Sequence, residues 1–371
     1  MTKVANVLVI GVTATAAAVA LIEAQRAPAI PNLAGKILTV AGPIEPSAAG
    51  QTLMHEHIFI NFKAPPPMLP PVRGISVLQP SPMPAAGERR GGGLTNYDES
   101  LAEIMAFKKI GGGTIVDTTN FGLTRDPEAL LRVSRASGLH VVMGAGWYQK
   151  GLHPPDMTER TIDELSDIVV RDVTIGAQGT SIRSGIIGEV GINGKPLVEN
   201  ELKSARASAR AARLTGAPMS IHSFGTPEEM LEILDIVASE GVDLSRVVMS
   251  HTGGRDMAYM KQLFERGVYV EYDYMGQAPL SAERGARIVD SIAEVIAAGY
   301  ADNVLIAHDV CTPPQLQKNG GGGYTYIATV IVPGLKAKGI SDETIGKILV
   351  DNPRRVLTFV APQPVATAAM Q

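Results

Sequence analysis

The residues with the greatest chemical reach in this chain close short apolar runs. His55-Glu56-His57 follows Leu53 and Met54. In an extended strand, residues two apart share a face, so both imidazoles point the same way. Two neutral imidazoles make half of a tetrahedral or trigonal-bipyramidal metal site. Alone, an HxH is a weak signal, because most such pairs are polar residues at a strand end. Four more residues change the odds: Glu189 follows Ile186-Ile187, His222 follows Met219-Ser220-Ile221, His251 follows Val247–Ser250, and Asp309 follows Val304–His308. Each metal-type residue ends a different apolar run. His140, His153 and His308 read instead as helix-end, loop and packed strand residues.

Two ligand sets imply two divalent ions. His55, His57 and Asp309 would hold the more buried ion and His222 with His251 the more exposed one. Glu189 would bridge them, its charge lying between the two cations. Water between such ions becomes a hydroxide nucleophile near neutral pH. Asp309, ligand and proton acceptor at once, could pass the water's proton to a leaving group. Mixed imidazole and carboxylate donors suit zinc best, with manganese or cobalt as alternatives.

Residues so far apart in sequence meet only if the runs they end are parallel strands sharing a rim. The candidate strands are Leu53–Phe59, Ile115–Asp117, Val141–Gly144, Gly185–Val190, Met219–His222, Val247–Ser250, Val268–Tyr272 and Val304–His308. Helical patterns lie between several of them: Leu101–Ile110, Pro127–Ser137, Asn200–Thr215, Pro227–Ser239 and Ala282–Ala298. Continuously apolar strands alternating with helices predict an α/β protein whose parallel sheet is buried on both faces. A count of eight favours a closed TIM (β/α)8 barrel, in which strand ends converge on the C-terminal rim. The dinucleotide fingerprint after the first strand is missing, and Gly320–Gly323 follows no strand directly, so it is a weak phosphate loop. Residues 64–93 carry eight prolines and little periodicity. They read either as a surface insertion or as a lid over the rim.

Composition narrows the field. In 371 residues, 45% are hydrophobic and 19% charged, enough apolar material for one large core. The formal net charge is -4, so there is no basic surplus for a nucleic-acid partner. The single cysteine, Cys311, excludes an internal disulfide framework and reads as a packing residue. Residues 1–24 have the pattern of a secretory signal peptide: Lys3, an uncharged run from Val4 to Ile22, then small residues around Ala18, Ala20 and Ala24. Export to the periplasm or medium is expected, with a membrane anchor or a buried N-terminal helix as alternatives. The barrel should span 35–362, with a flexible tail at 363–371.

The HxH, His222, His251 and Asp309 resemble the phosphotriesterase family of the amidohydrolase superfamily, and the likeness runs from about Gly35 to Val360. It is carried by Gly50–His57, by Gly113–Asp117 and by Gly185–Gly191. The resemblance implies a TIM barrel with a binuclear metal centre, and a hydrolase. In phosphotriesterases proper and related lactonases a carboxylated lysine bridges the metals. Here the equivalent strand ends in Glu189, with Lys195 beyond it, as in the phosphotriesterase-related branch that includes the phosphotriesterase homology proteins. Lys318–Tyr326 resembles that branch too. The loop Thr252–Asp256 lacks the proton-relay aspartate and histidine of phosphotriesterases. Tyr148 lines up with a tyrosine near the metals of family lactonases and could hold the leaving oxygen or the bridging water. Trp147, Arg255 and Tyr274 are the other candidate substrate-binding residues. The expected reaction is hydrolysis of a lactone or carboxylic ester. An N-acyl amino acid amide comes second and a phosphotriester third; a non-catalytic small-molecule-binding barrel is the reading from another class. A homodimer is expected from the family.

Overall fold

The computed structural model describes residues 30–62, 67–70, 93–276 and 281–363. The signal-peptide segment 1–24 lies outside them, as do most of the 64–93 insertion and nearly all of the 363–371 tail. Among the described residues no helix is long and apolar enough to cross a membrane.

An antiparallel pair, β1 (Ile37–Thr39) and β2 (Gly42–Ile44), precedes the barrel and was not expected from the sequence. The barrel strands are β3 (Gln51–Glu56), β4 (Gly112–Asp117), β5 (His140–Met143), β6 (Ile187–Ile192), β7 (Met219–Ser223), β8 (Val247–Ser250), β9 (Tyr269–Tyr272) and β10 (Val304–Ile306). All pair in parallel, in the orders β3-β4-β5 and β6-β7-β8-β9-β10. The two arcs meet at two irregular seams. Between β5 and β6, Gly185 N–H donates to Met143 O (2.9 Å) and Gly188 N–H to Ala145 O (2.8 Å). Between β10 and β3, Asp309 N–H donates to His55 O (3.1 Å) and His57 N–H to Val310 O (3.2 Å). The protein is an α/β TIM barrel.

The helices are α1 (Tyr97–Lys109), α2 (Pro127–Ser137), α3 (Ile162–Thr174), α4 (Glu199–Thr215), α5 (Pro227–Ser239), α6 (Met257–Glu265), α7 (Ala282–Ala297), α8 (Val332–Ala337), α9 (Asp342–Gly346) and α10 (Asn352–Leu357). Their starts follow local chemistry. Asn96, Asp126, Thr161 and Thr226 each accept a first-turn N–H, which satisfies a donor the helix cannot. The main core packs helices against the outer faces of the strands. A second cluster takes Met54, Val116, Val142, Ile186, Val248, Tyr269 and Leu305 from seven different strand regions, as a filled barrel interior requires.

The Gly-rich stretch is tied down on both sides. Glu103 of α1 accepts the Gln317 and Lys318 N–H groups just before it, at 3.0 and 3.1 Å. Tyr324 beyond it donates to His57 O (3.1 Å), so the loop is fastened under the first strand's end.

Candidate metal centre

Two residues beyond interior Val248 and Tyr269 come Ser250 and Glu271, so the apolar filling gives way to a polar layer. Ser250 Oγ donates to Glu271 Oε2 (2.7 Å) and lies 2.9 Å from Ser220 Oγ. His55 Nδ1 rests on this layer, 3.1 Å from Ser250 Oγ and 3.2 Å from Glu271 Oε2. The opposite nitrogen, Nε2, faces Glu189 Oε2 at 3.4 Å and Asp309 Oδ1 at 3.9 Å. His57 repeats the pattern, with Nδ1 2.9 Å from Thr119 Oγ1 and Nε2 3.4 Å from Glu189 Oε1 and 3.3 Å from Asp309 Oδ1. Across Glu189, His222 Nδ1 lies 2.6 Å from Oε2 and His251 Nε2 3.6 Å from it, with the two nitrogens 2.8 Å apart. All six side chains are buried. The fold therefore brings together every residue the sequence singles out as a metal ligand.

The donor set fits cations. His55 Nε2 is buried without a hydrogen-bond partner, an arrangement that is costly for a polar atom unless something else occupies the space it faces. The outer ring nitrogens of His55, His57 and His251 are all taken by neighbouring side chains, which leaves the inner ones aimed at the carboxylates. Charge agrees. Burial would raise the Glu189 pKa, yet the His222 and His55 charges and the His222 hydrogen bond hold it well below the usual carboxylate range. Burial pulls His251 down, but the Asp273 charge and the hydrogen bonds to Asp273 and Glu189 together raise the ring to about 10. His55 is likewise raised against its burial, chiefly by Glu189. Buried carboxylates thus demand positive charge here, and divalent ions would supply it. His55, His57 and Asp309 could hold one ion and Glu189, His222 and His251 another, each set offering ligand atoms within 4.8 Å of one another.

Two of these residues sit in backbone conformations that disfavour side chains: His251 has φ 60 and Asp309 φ 53. Such strain costs on the order of 1–3 kcal/mol and persists only where neighbours over-determine it. Asp273 does this for His251, accepting its backbone N–H at 2.9 Å and facing its ring Nδ1 at 2.8 Å. The sequence reading passed over Asp273, although it directly follows β9 as His251 follows β8. It also missed Thr119, Ser220 and Ser250, whose residue types carry no metal signal, and Glu271, which lies within β9 rather than closing an apolar run.

The substrate-side candidates divide. Tyr148 Oη lies 3.2 Å from His222 Nε2. Burial, then the Glu189 and Asp309 charges, push its hydroxyl pKa well above 10.0, so it stays protonated. The Tyr274 ring stacks on His251 with centroids 4.6 Å apart, and Phe224, unforeseen, stacks on His222 at 4.5 Å. Arg255 spans two strand ends, donating from Nε to His251 O (3.0 Å) and from its guanidinium to Ser223 O. Trp147 goes elsewhere. Its indole lines a separate small cavity with Pro70, Phe121 and Arg125, and its Nε1 is buried without a partner.

The phosphotriesterase family profile matches residues 35–357. The chain belongs to the phosphotriesterase family. Family membership makes it a hydrolase of a divalent-metal-dependent group. An N-acetyltaurine hydrolase from Tetraodon nigroviridis is 35% identical over 350 residues, covering 88% of this chain and 99% of that protein. Among solved structures, a resiniferatoxin-binding protein from Rhodobacter sphaeroides superposes with a TM-score of 0.77 at 33% identity, covering 88% of this chain and 96% of that one. A lactonase from Listeria monocytogenes reaches a TM-score of 0.74 at 26% identity, covering 87% and 99%.

Proposed function

We propose that this protein hydrolyses the amide bond of small N-acyl amino acids or N-acyl aminosulfonates, using two divalent ions, with zinc favoured. The observation that carries this is the likeness to N-acetyltaurine hydrolase along 99% of that protein's length. The sequence reading placed a lactone or carboxylic ester first, and the comparison favours its alternative. Ester chemistry stays as the second reading, supported by the likeness to the Listeria lactonase.

Bound between these side chains, the ions would activate water as a nucleophile and polarise the acyl carbonyl. The chain's own groups do the rest. An amide differs from an ester in that its amine must be protonated as it leaves. Asp309, facing His57 Nε2 at 3.3 Å, would take a proton from the attacking water and return it to the departing nitrogen. Tyr148, kept protonated, would donate to the substrate oxygen where negative charge develops. The acyl group would lie against Phe224 and Tyr274, and Arg255 at the rim would attract the carboxylate or sulfonate of the leaving half.

The test compares kcat/KM of the metal-loaded enzyme for N-acetyltaurine, other N-acyl amino acids, lactones, aryl esters and a phosphotriester. The acidic N-acyl substrates should lead the lactones by about tenfold or more, roughly 1.4 kcal/mol of transition-state binding. A lactone leading by the same margin overturns the proposal in favour of the ester reading.

A further inference from the structure

Glu56 stands between the two histidines of the HxH, and neither the candidate ligand set nor the proposed chemistry uses it. Its carboxylate is fully buried at the seam between β3 and β10. Oε1 accepts from the backbone N–H of His308 at 2.9 Å and lies 2.8 Å from the His308 ring Nδ1; Oε2 accepts from the Val310 N–H at 3.0 Å. His308 and Val310 flank Asp309. The His308 ring is fixed in turn, since its Nε2 accepts the Ile327 N–H at 3.1 Å, which leaves the proton on Nδ1 directed at Glu56. One carboxylate thus gathers donors from both sides of a residue whose own backbone is in the left-handed region, φ 53. No regular ladder joins β3 and β10 among the described residues, so the Glu56 contacts supplement the two irregular seam bonds, Asp309 N–H to His55 O and His57 N–H to Val310 O.

We infer that Glu56 is a positioning residue: by clamping the amides before and after Asp309, it holds the Asp309 carboxylate towards His57. The inference rests on the reading of Asp309 as a working residue of the site. It parallels Asp273, which clamps the other left-handed candidate ligand, His251, but it acts across the barrel seam and entirely through backbone donors and one ring. Strand alternation explains the economy of the motif. The two histidines of His55-Glu56-His57 serve the site, while the residue between them serves the neighbouring strand.

Glu56→Gln keeps the shape but turns one acceptor oxygen into an NH2 group, which must then face an N–H whichever way the amide rotates. In the metal-loaded enzyme, kcat should fall about 10- to 100-fold with KM nearly unchanged. In an Asp309→Asn background the same change should cost nothing further, because the two residues act as one unit. In the metal-free protein, hydrogen exchange of a peptide covering 307–311 should accelerate in Glu56→Gln. Glu56→Asp keeps both oxygens on a shorter arm, and its kcat and exchange rate should fall between those of the parent and the Gln variant. The inference is overturned by unchanged exchange, by kcat within about twofold of the parent, or by losses that multiply in the double variant. It is also overturned if Glu56→Asp loses kcat while exchange stays at the parent rate. Full turnover by Asp309→Asn alone would refute the reading of Asp309, while the exchange measurement would still decide whether the clamp exists.

Discussion

Glu189 is the residue on which most of the centre turns, because its carboxylate lies among all four histidines, Oε1 facing His57 and Oε2 facing His55, His222 and His251. Glu189→Gln removes the charge without changing the shape. Loss of at least one bound metal and of most turnover is expected, measured by metal analysis and kcat. Two metals per chain with full activity would refute the bridging role. Reconstitution adds a second check: a glutamate needs no carbon dioxide, so metal-free protein should recover activity with the metal salt alone. A strict bicarbonate requirement would point to a lysine instead. Tyr148 is outside the candidate ligand set, and its hydroxyl lies 3.2 Å from the outer nitrogen of His222. Tyr148→Phe should lower kcat by roughly 100-fold, the scale of one lost donor to a developing charge, and leave metal content unchanged. A variant that instead loses metal would make Tyr148 a support for His222.

Among the elements, the seam between β5 and β6 matters most, because Glu189 emerges beside it. The chains approach so closely that a Cβ on Gly144 would lie 2.2 Å from Gly188 O and 3.1 Å from Thr118. All of these contacts are backbone, which cannot swing aside. Gly144→Ala should therefore cost about 1–3 kcal/mol by overpacking and displace Glu189. Thermal denaturation and metal content should fall together; an unchanged melting temperature would show that the seam can open. The expected strand at Gly185–Val190 shifts to Ile187–Ile192 for the same reason. Gly185 and Ile186 both donate to Met143 O, crossing the seam before the regular ladder begins.

For the whole molecule, metal and proton compete to neutralise one buried set of carboxylates. In metal-free protein His251 is raised from 6.5 to about 10, with burial opposing the shift and Asp273 and Glu189 together overcoming it. A raised folded-state pKa contributes stability that is complete below the unfolded value and is lost as pH rises through the folded one. The melting temperature of metal-free protein should therefore decline between pH 6.5 and about 10. Metal-loaded protein should melt higher throughout and lack that decline, because bound ions replace the protons. Scanning both forms against pH checks this, and identical profiles would mean that the ions are not seated among these residues.

The sequence by itself determined the barrel and the identity of its rim residues. Apolar runs alternating with helical stretches are local patterns, and a histidine, glutamate or aspartate at the end of such a run is legible without neighbours. His55, His57, Glu189, His222, His251 and Asp309 could be read that way, and in the fold their side chains meet. The tertiary structure alone decided what holds them. Ser220, Ser250, Glu271 and Thr119 matter through partners on other strands, and a serine that rests under an imidazole has the same local sequence pattern as one that fills a turn. Trp147 and Tyr148 are adjacent and chemically alike, yet one enters a separate cavity and the other the centre. The left-handed backbones of His251 and Asp309, and the contacts of Asp273 and Glu56 that hold them, depend on residues that only the closed barrel brings to one rim. Sequence periodicity reports which face a residue takes, not which residue from another strand it will meet there.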